Sequence, residues 1–120
     1  MKMFLFFSHK LTPEQTEDAK SMGVDEFVYL PKELQKSFSM VPPELESLDE
    51  YVKPFFKFLK SADDGDLVLI QGDFGVVCKL VEFCKKRCLK AIYATTKREV
   101  IVEKDGTKVS KFQHIRYRSY

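Results

Sequence analysis

Short apolar runs, each followed by a polar or glycine-containing segment, recur along the first three quarters of the chain. The runs at residues 3–7, 26–30, 67–70 and 91–94 have the length and composition of sheet strands, and the third is typical of a strand buried on both faces. Stretches with apolar residues at helical spacing separate these runs. Strands that alternate with helices predict right-handed crossovers and a mainly parallel sheet.

The first helix is predicted from its start and stop signals. Thr12 is suited to cap the helix, Pro13 to occupy its first position, and Gln15 to complete a capping box. Gly23 marks its end. A short loop after the first strand therefore leads directly into this helix.

Two more helical segments are predicted before the third strand. Pro31 begins a short helix that reaches about Phe38. Ser47 and Glu50 form a second capping box, and Pro54 is expected to kink the helix that follows rather than to stop it. The apolar residues at helical spacing in that helix are Leu48, Tyr51, Val52, Phe55, Phe56 and Leu59.

The helix after the third strand is predicted to be amphipathic. Its apolar face carries Val77, Leu80, Val81, Cys84 and Cys88. Because Cys84 and Cys88 match this face and have no Cys or His partners at zinc spacing, we expect buried thiols and no metal site. The odd number of cysteines in the chain, 3, favours reduced thiols and a cytoplasmic protein over a disulfide framework.

The last quarter of the chain changes to alternating apolar and polar residues around Asp105 and Gly106, a strong hairpin signal. We predict a single domain, residues 1–120, of the α/β class. We expect it to be a three-layer sandwich with a mainly parallel sheet and a C-terminal antiparallel hairpin at one edge. If the alternation is regular, the side chains on one face of the last strand are those of Phe112, His114, Arg116 and Arg118.

The net charge of +2 conceals an asymmetry, because residues 97–120 contain seven Lys or Arg and three Asp or Glu. A polyanion is therefore expected on the surface that this segment builds, and a solvated charged hairpin is the alternative. No stretch approaches the roughly 20 apolar residues of a membrane helix. The first apolar run is also too short for a secretory signal, so we predict no membrane partner.

Polar residues follow three of the predicted parallel strands. Ligands of open α/β sheets bind outside the carboxyl ends of the strands. These ends carry Ser8 and His9 after the first strand, Gln71, Gly72, Asp73, Phe74 and Gly75 after the third, and Thr95, Thr96, Lys97 and Arg98 after the fourth. We predict that the three segments converge on one ligand site.

The chemistry of these segments suits phosphate. Gly72 and Gly75 would let a phosphate approach N–H groups at the start of the next helix, although a tight turn with Asp73 as an ordinary N-cap is the alternative. The segment after the fourth strand supplies two hydroxyls and two cations for phosphodiester contacts, or else a polar connection into the hairpin. Ser8 and His9 are adjacent and would point to opposite faces of a strand, which argues against a hydrolase pair.

Five blocks of sequence carry a resemblance. They are LFFSHKLT at residues 5–12, LPKELQ at 30–35, VLIQGDFG at 68–75, YATTKR at 93–98 and FQHIRYR at 112–118. In this order, and in a chain of this length, the blocks resemble the small CRISPR-associated Csx proteins of the group numbered twenty. The resemblance covers nearly the whole chain.

The resemblance implies a stand-alone relative of the CARF sensor domains of type III CRISPR systems, acting as a ring nuclease on the second messenger cyclic oligoadenylate. The implied mechanism is in-line attack of a ribose 2′-hydroxyl on the adjacent phosphate, without a metal or other cofactor. It also implies a homodimer that holds the ring across its two-fold axis. Cyclic tetra-adenylate is then the expected substrate, because an even ring matches two-fold symmetry.

The resemblance and the placement together suggest residue roles. Gln71 would orient phosphate and ribose, and Arg98 with Lys97 would stabilise transition-state charge. His9 is the candidate for proton transfer, since imidazole side chains titrate near neutral pH. The further ligand contacts are Ser8, Gly72, Asp73, Phe74, Gly75, Thr95 and Thr96, with His114 and Arg116 as second choices.

Three other functions fit the same residues. A sponge or sensor would bind the cyclic nucleotide without cutting it, and only turnover separates it from a nuclease. A general RNA- or DNA-binding module would use the basic hairpin, but the small net charge of +2 argues against it, and we expect no duplex nucleic acid partner. A structural interaction domain would leave the strand-end segments without a ligand.

Overall fold

Alternating strands and helices form the first part of the molecule, and a long hairpin forms its last part. The computed structural model describes residues 1–120. The elements are β1 (Lys2–Phe7), α1 (Pro13–Ser21), β2 (Glu26–Tyr29), α2 (Lys32–Ser39), α3 (Lys53–Phe58) with a short 3₁₀ turn (Leu59–Ser61), β3 (Leu67–Gln71), α4 (Phe74–Lys86), β4 (Lys90–Val102) and β5 (Lys108–Ser119). The predicted order of strands and helices is confirmed.

All five strands belong to one mixed sheet with the order β2-β1-β3-β4-β5. β1 pairs in parallel with β2 and β3, β3 pairs in parallel with β4, and β4 and β5 are antiparallel. After β2 the chain crosses to the opposite side of β1, so the connections diverge between β1 and β3. In open α/β sheets, a crevice forms at the carboxyl ends of two such strands.

The two faces of the sheet bury separate hydrophobic clusters, and helices cover both. The larger cluster lies under α2, α3 and α4 and includes Phe6, Phe38 and Phe55, whose rings meet edge to face at 5.7–5.9 Å. The smaller cluster lies under α1 and includes Leu5 and Tyr117. The arrangement of helix, sheet and helix gives the three predicted layers. We name the two sides of the sheet the α4 side and the α1 side.

The capping box of α1 is confirmed. The Thr12 hydroxyl accepts a hydrogen bond from the Gln15 backbone N–H at 3.2 Å, and Gln15 Oε1 accepts one from the Thr12 N–H at 2.9 Å. Gln15 is buried, and these bonds satisfy polar groups that burial would otherwise leave unpaired. The box therefore fixes the chain where it leaves the end of β1.

The second predicted capping box is wrong. α3 begins at Lys53, beyond Ser47 and Glu50, and its N-cap is Val52. The Ser47 hydroxyl instead accepts from the Asp49 N–H within a turn. The reason is Pro54, which lacks the N–H that would continue a helix from Glu50, so it lies in the first turn of α3 and is not a mid-helix kink.

The cysteine prediction is half right. Cys84 is buried in α4, and burial raises the pKa of its thiol to about 12. Cys88 is exposed, because α4 ends before it and its backbone adopts a left-handed φ of 57° that turns the chain toward β4. The two thiols therefore do not share an apolar face. No group of three or more His, Cys, Asp and Glu is arranged to hold a metal.

β4 and β5 continue past the rest of the sheet as a two-stranded ribbon, residues 96–114. Asp105 and Gly106 form its turn, as predicted, with Gly106 at a φ of 86°. The radius of gyration is 16.1 Å, against about 13.5 Å for a compact domain of this length. The molecule is therefore a globular body with a projecting ribbon. None of its helices has the length and apolar character needed to cross a membrane.

A β-bulge separates the ribbon from the body. Thr95 pairs with Arg116 but Thr96 pairs with His114, so Ile115 is the extra residue. The bulge breaks the alternation on which the sequence prediction relied. His114 lies on the α1 side, where Nε2 is 2.7 Å from Asp18 Oδ2, whereas Arg116 and Arg118 lie on the α4 side. The prediction that these three side chains share a face is therefore wrong.

Candidate functional site

The carboxyl ends of β1 and β3 lie at the same level of the sheet as Ala94, in the middle of β4. Phe7 pairs with Gln71, and Gln71 Oε1 accepts a hydrogen bond of 2.8 Å from the Ala94 N–H. The residues that follow these three positions are Ser8, Gly72 and Thr95, and Arg116 pairs with Thr95 in β5. We call these four residues the strand-end row. Residues from three of the predicted segments and the last strand therefore meet.

Ser8 and His9 lie where β1 turns toward α1. The hydroxyls of Ser8 and Ser39 are 3.1 Å apart, and Gln35 Nε2 donates to both the Ser39 hydroxyl and the Phe7 carbonyl. The His9 ring is exposed and meets the Phe7 ring edge-on at 5.4 Å. A groove of about 650 Å³ opens beside them between the ends of β1 and β2. This end of the row offers one hydroxyl and one imidazole to a ligand.

Gln35 and Ser39 are residues of this region that the sequence reasoning missed as site residues. Gln35 was present in one of the resembling blocks, but nothing in its local sequence indicated that its amide would hold the end of β1. The signal is only its spacing of four residues from Ser39, which places both on one face of α2.

Gln71 has a structural partner on one side of its amide. Its Oε1 is held by the Ala94 N–H, which extends the β3–β4 ladder beyond the last paired residues, Leu69 and Ile92. Its Nε2 has no hydrogen-bond partner within the protein and is free to donate. The predicted orienting residue is therefore fixed in place with its donor available.

Packing requires the first glycine of the turn after β3, Gly72, whereas the contact at Gly75 is with the movable end of a side chain. A Cβ on Gly72 would stand 2.8 Å from the Phe38 ring, and a Cβ on Gly75 would stand 2.7 Å from Leu48. Both separations are too short for carbon atoms. The Phe38 contact therefore explains Gly72, and it does not decide between a phosphate site and an ordinary tight turn.

Asp73 is the N-cap of α4, as the same alternative proposed. Its Oδ2 accepts a hydrogen bond of 3.1 Å from the Val76 N–H. The N–H groups of Phe74 and Gly75 have no acceptor within the protein, because they precede the first intrahelical bond. A helix of 13 residues thus presents two free donors and the positive end of its dipole at the strand-end row.

Phe74 is the most exposed aromatic residue of the molecule. Its side chain is 91% exposed at the first position of α4, directly beside the two free N–H groups. Exposing a whole phenyl group costs free energy of hydration that burial would recover. An aromatic surface next to donors suited to phosphate is the arrangement with which proteins stack nucleotide bases.

The predicted loop after the fourth strand is wrong. Thr95, Thr96, Lys97 and Arg98 lie inside β4, because antiparallel pairing with β5 continues through them. Thr95 Oγ1 donates to the Arg116 carbonyl at 2.7 Å and accepts from the Arg116 N–H, so this hydroxyl stabilises the bulge. Thr96 faces the α1 side and lines a cavity with Phe112 and His114.

Lys97 and Arg98 do not converge, contrary to the expectation that they act together. Adjacent strand residues point to opposite faces. Lys97 Nζ is 3.9 Å from Glu99 on the α4 side. Arg98 donates to Ser110 and its guanidinium lies 6.0 Å from the centre of the Phe112 ring on the α1 side. One ligand surface therefore meets only one of these cations.

Arg116 is the cation of the strand-end row. It is exposed on the α4 side, the same side as Lys97 and Phe74, and it forms no ion pair within the protein. Nearby Arg118 donates to the Tyr93 hydroxyl at 3.0 Å and lies over its ring. The sequence prediction ranked Arg116 second, but its position is closer to the other site residues than that of Arg98.

His114 is a structural residue. Its side chain is 4% exposed, and its contact with Asp18 joins β5 to α1. Tyr117 makes a second such link, since its hydroxyl donates to the Gln15 carbonyl at 3.0 Å. Burial, followed by the Asp18 charge, raises the pKa of Tyr117. These two side chains hold the base of the ribbon and do not reach the strand-end row.

The fold and this geometry define an α/β protein with a polar, phosphate-compatible site at the carboxyl edge of a mixed sheet. The chain belongs to the family described as "Uncharacterized protein MJ1673 family", whose model matches residues 1–118. A relative, "Uncharacterized protein MJ1673" of Methanocaldococcus jannaschii, is 52% identical over 124 residues, which cover 99% of this chain and 96% of the relative. No solved structure matches the chain significantly.

Proposed function

We propose that this protein binds cyclic oligoadenylate, with cyclic tetra-adenylate as the expected ring, and cleaves it as a cytoplasmic ring nuclease of type III CRISPR systems. The observation that carries the proposal is the strand-end row, in which Ser8, Gly72, Thr95 and Arg116 lie side by side next to the free N–H groups of α4. The choice of cyclic oligoadenylate as the substrate rests on the resemblance to the CRISPR-associated Csx proteins. The Rossmann-like, CARF-type identity of the fold is part of the same proposal, and the strand order supports it.

The α4 side of the row suits a nucleotide with its phosphate toward the protein. The N–H groups of Phe74 and Gly75 and the Arg116 guanidinium would point donors at one phosphodiester. Lys97 adds a second positive charge on this side. The exposed Phe74 ring would stack on an adenine base.

Positioning and charge stabilisation supply most of the proposed catalysis. The 2′-oxygen of one ribose attacks the adjacent phosphorus, and the bond from phosphorus to O5′ breaks. The 2′-hydroxyl proton passes to a base, and O5′ takes a proton as it leaves, giving a 2′,3′-cyclic phosphate and a 5′-hydroxyl. Oriented donors that meet the developing charge on the phosphoryl oxygens lower the barrier by several kcal/mol. We assign these proton transfers to His9, as the resemblance suggests.

A second candidate is a sponge that holds the ring intact. The observation that favours it concerns His9, which meets the Phe7 ring edge-on and has no side-chain hydrogen bond to fix its orientation. Residues that bind and residues that cleave are otherwise the same. The two functions differ only in whether the bound ring is turned over.

The deciding experiment is incubation of the purified protein with cyclic tri-, tetra- and hexa-adenylate in EDTA, with products separated by chromatography and identified by mass. We expect one ring to be converted into linear products that end in a cyclic phosphate. Tight binding without conversion would establish the sponge. Neither binding nor conversion of any ring would overturn the proposed function.

A further inference from the structure

The ribbon carries apolar side chains that nothing in the molecule covers. Val100, Val102, Val109, Phe112 and Ile115 are between 38% and 69% exposed. Two-stranded ribbons are marginally stable in water unless a face is packed. Exposed apolar surface on a projecting element is typical of a protein interface.

The edge strand of the ribbon, β5, carries only positive charges. β5 contains Lys108, Lys111, Arg116 and Arg118 and no acidic residue, and none of these four cations forms an ion pair. Lys108 is eight residues from Arg116, which is about 25 Å along a strand. Lys108 is therefore too far from the strand-end row to serve a small cyclic ligand bound there.

A surface of opposite charge lies at the carboxyl edge of the sheet. Residues 40–50, which we call the acidic loop, contain Glu44, Glu46, Asp49 and Glu50 and no Lys or Arg. Glu44 and Glu46 form no ion pair, and Met40 and Leu45 are exposed beside them. Leu48 packs against Gly75 at the start of α4, which fixes this loop next to the strand-end row.

We propose that the ribbon docks on the acidic loop of a second copy of this chain, and that two such contacts related by a two-fold axis form the dimer. Lys108 and Val100 lie on one face of the ribbon and Lys111 and Val109 on the other, so the acidic loop would contact both faces around the free edge of β5. The ribbon carries cations and apolar side chains, whereas the loop carries carboxylates and apolar side chains, so each copy has both halves of the contact. Ribbon and loop together offer enough residues for a standard interface of about 20–30 residues a side. This reciprocal contact rests on the proposed homodimer and specifies its interface, but it does not depend on ring cleavage.

Two other occupants fit less well. Direct pairing of the β5 edges of two copies would place cations near cations, because β5 has no acidic residue. A polynucleotide would neutralise the cations, but the outer half of the ribbon carries Val100, Val102 and Val109 where base stacking needs aromatic rings. The acidic loop of a second copy satisfies both the charges and the apolar side chains.

Charge-reversal substitutions test the contact between the ribbon and the acidic loop. We expect the wild-type protein to be a dimer by sedimentation equilibrium, and Lys108→Glu with Lys111→Glu to make it monomeric. Glu44→Lys with Glu46→Lys should do the same, and all four substitutions together should restore the dimer by reversing both partners. The control is Lys60→Glu with Lys90→Glu, which makes the same change in net charge at exposed positions away from both surfaces and should leave the dimer intact.

A wild-type protein that is monomeric at its highest soluble concentration would overturn the proposed docking of ribbon on loop. So would a dimer that neither charge reversal weakens. So would four substitutions that fail to restore the dimer in a chain that circular dichroism shows to be folded. Ring binding and cleavage are measured on the same samples. A monomer that cleaves the ring refutes only the proposed contact between ribbon and loop. A dimer that binds no ring refutes only the proposed function.

Discussion

Gln71 and Ala94 are joined by a hydrogen bond of 2.8 Å from the Ala94 N–H to Gln71 Oε1, so a side chain closes the β3–β4 ladder where the main chain no longer does. The Nε2 donor of the same amide has no partner within the protein and lies at the carboxyl end of β3. Gln71 therefore connects the sheet to the candidate site, and its two atoms can be tested separately.

Gln71→Glu and Gln71→Ala should separate these two roles. Glutamate keeps an acceptor for the Ala94 N–H but loses the donor, so stability should change little while ring cleavage is lost. Alanine loses both, and the half-buried N–H left unpaired should cost about 1 kcal/mol of unfolding free energy. Urea denaturation and the cleavage assay measure the two effects. Full activity of the glutamate variant would exclude Gln71 Nε2 from the site.

Arg116→Gln should weaken ring binding by about tenfold or more, because charge-assisted hydrogen bonds to phosphate are worth about 1.5–3 kcal/mol. Arg98→Gln should have the smaller effect, since its side chain lies on the α1 side with Ser110 and Phe112. Lys60→Gln at the opposite edge of the sheet is the charge-matched control. Titration of a fluorescent ring into each variant gives the affinities. The reverse order of effects would place the ligand on the α1 side of the ribbon.

Phe74→Ala should leave thermal stability unchanged, because its 91% exposed ring makes little contact with the fold. Ring affinity should fall by about tenfold, in line with stacking energies of about 1–3 kcal/mol per base. Phe74→Tyr keeps the aromatic face and is the matched control. An alanine variant with wild-type affinity in calorimetry would remove Phe74 from the proposed site.

Gly72→Ala should destabilise the protein by about 1–3 kcal/mol, because the added Cβ meets the Phe38 ring at 2.8 Å. Phe38→Leu creates space and should therefore recover part of the loss when it is combined with Gly72→Ala, although it is destabilising alone. Chemical denaturation of the two single variants and the double variant gives this coupling. Strictly additive effects would show that the glycine is needed for something other than packing.

Alkaline pH should destabilise the fold. Burial raises the pKa of Cys84 to about 12, and it also raises the pKa of Tyr117. Unfolding restores their ordinary values of about 8.5 and 10, so the unfolded chain loses these protons first. The stability contributed by the neutral groups is full below about pH 8.5 and falls as pH rises above it.

Urea midpoints measured between about pH 7 and 11 should show this decline. Cys84→Ala should lower stability at neutral pH, because it leaves a cavity, but should flatten the decline that begins near pH 8.5. Equal slopes for the wild type and Cys84→Ala would contradict this account.

The sequence predicted the parallel core and the hairpin because their signals are local. Apolar runs, the Thr12–Gln15 capping box and Asp105–Gly106 each specify a structure within a few residues. The ends of β1 and β3 were placed correctly because parallel strands end at one edge of a sheet, whatever their register. The site residues contributed by β1 and β3 follow from that rule alone.

The errors arose where distant partners decide the structure. Thr95, Thr96, Lys97 and Arg98 have a polar composition that suits a loop, but pairing with β5 keeps them in a strand whose faces are both solvated. The extra residue at Ile115 changes which face His114 occupies, and no local pattern marks it. Pro54 cancelled an apparent capping box because the missing N–H matters only once the helix register is known.

The centre of the sheet is covered on both faces, whereas the ribbon is covered on neither. Backbone hydrogen bonds should therefore open more easily in the ribbon than in the sheet centre. β1 and β3 are paired on both edges and covered on both faces, so their amides should exchange with solvent only when the whole chain unfolds. The ribbon beyond the bulge has one ladder and no core, and its amides should exchange through fraying that leaves the body intact. The strand-end row lies on the boundary between these two regimes, so an ordered ligand or partner there would slow exchange in the ribbon without any change in the sheet.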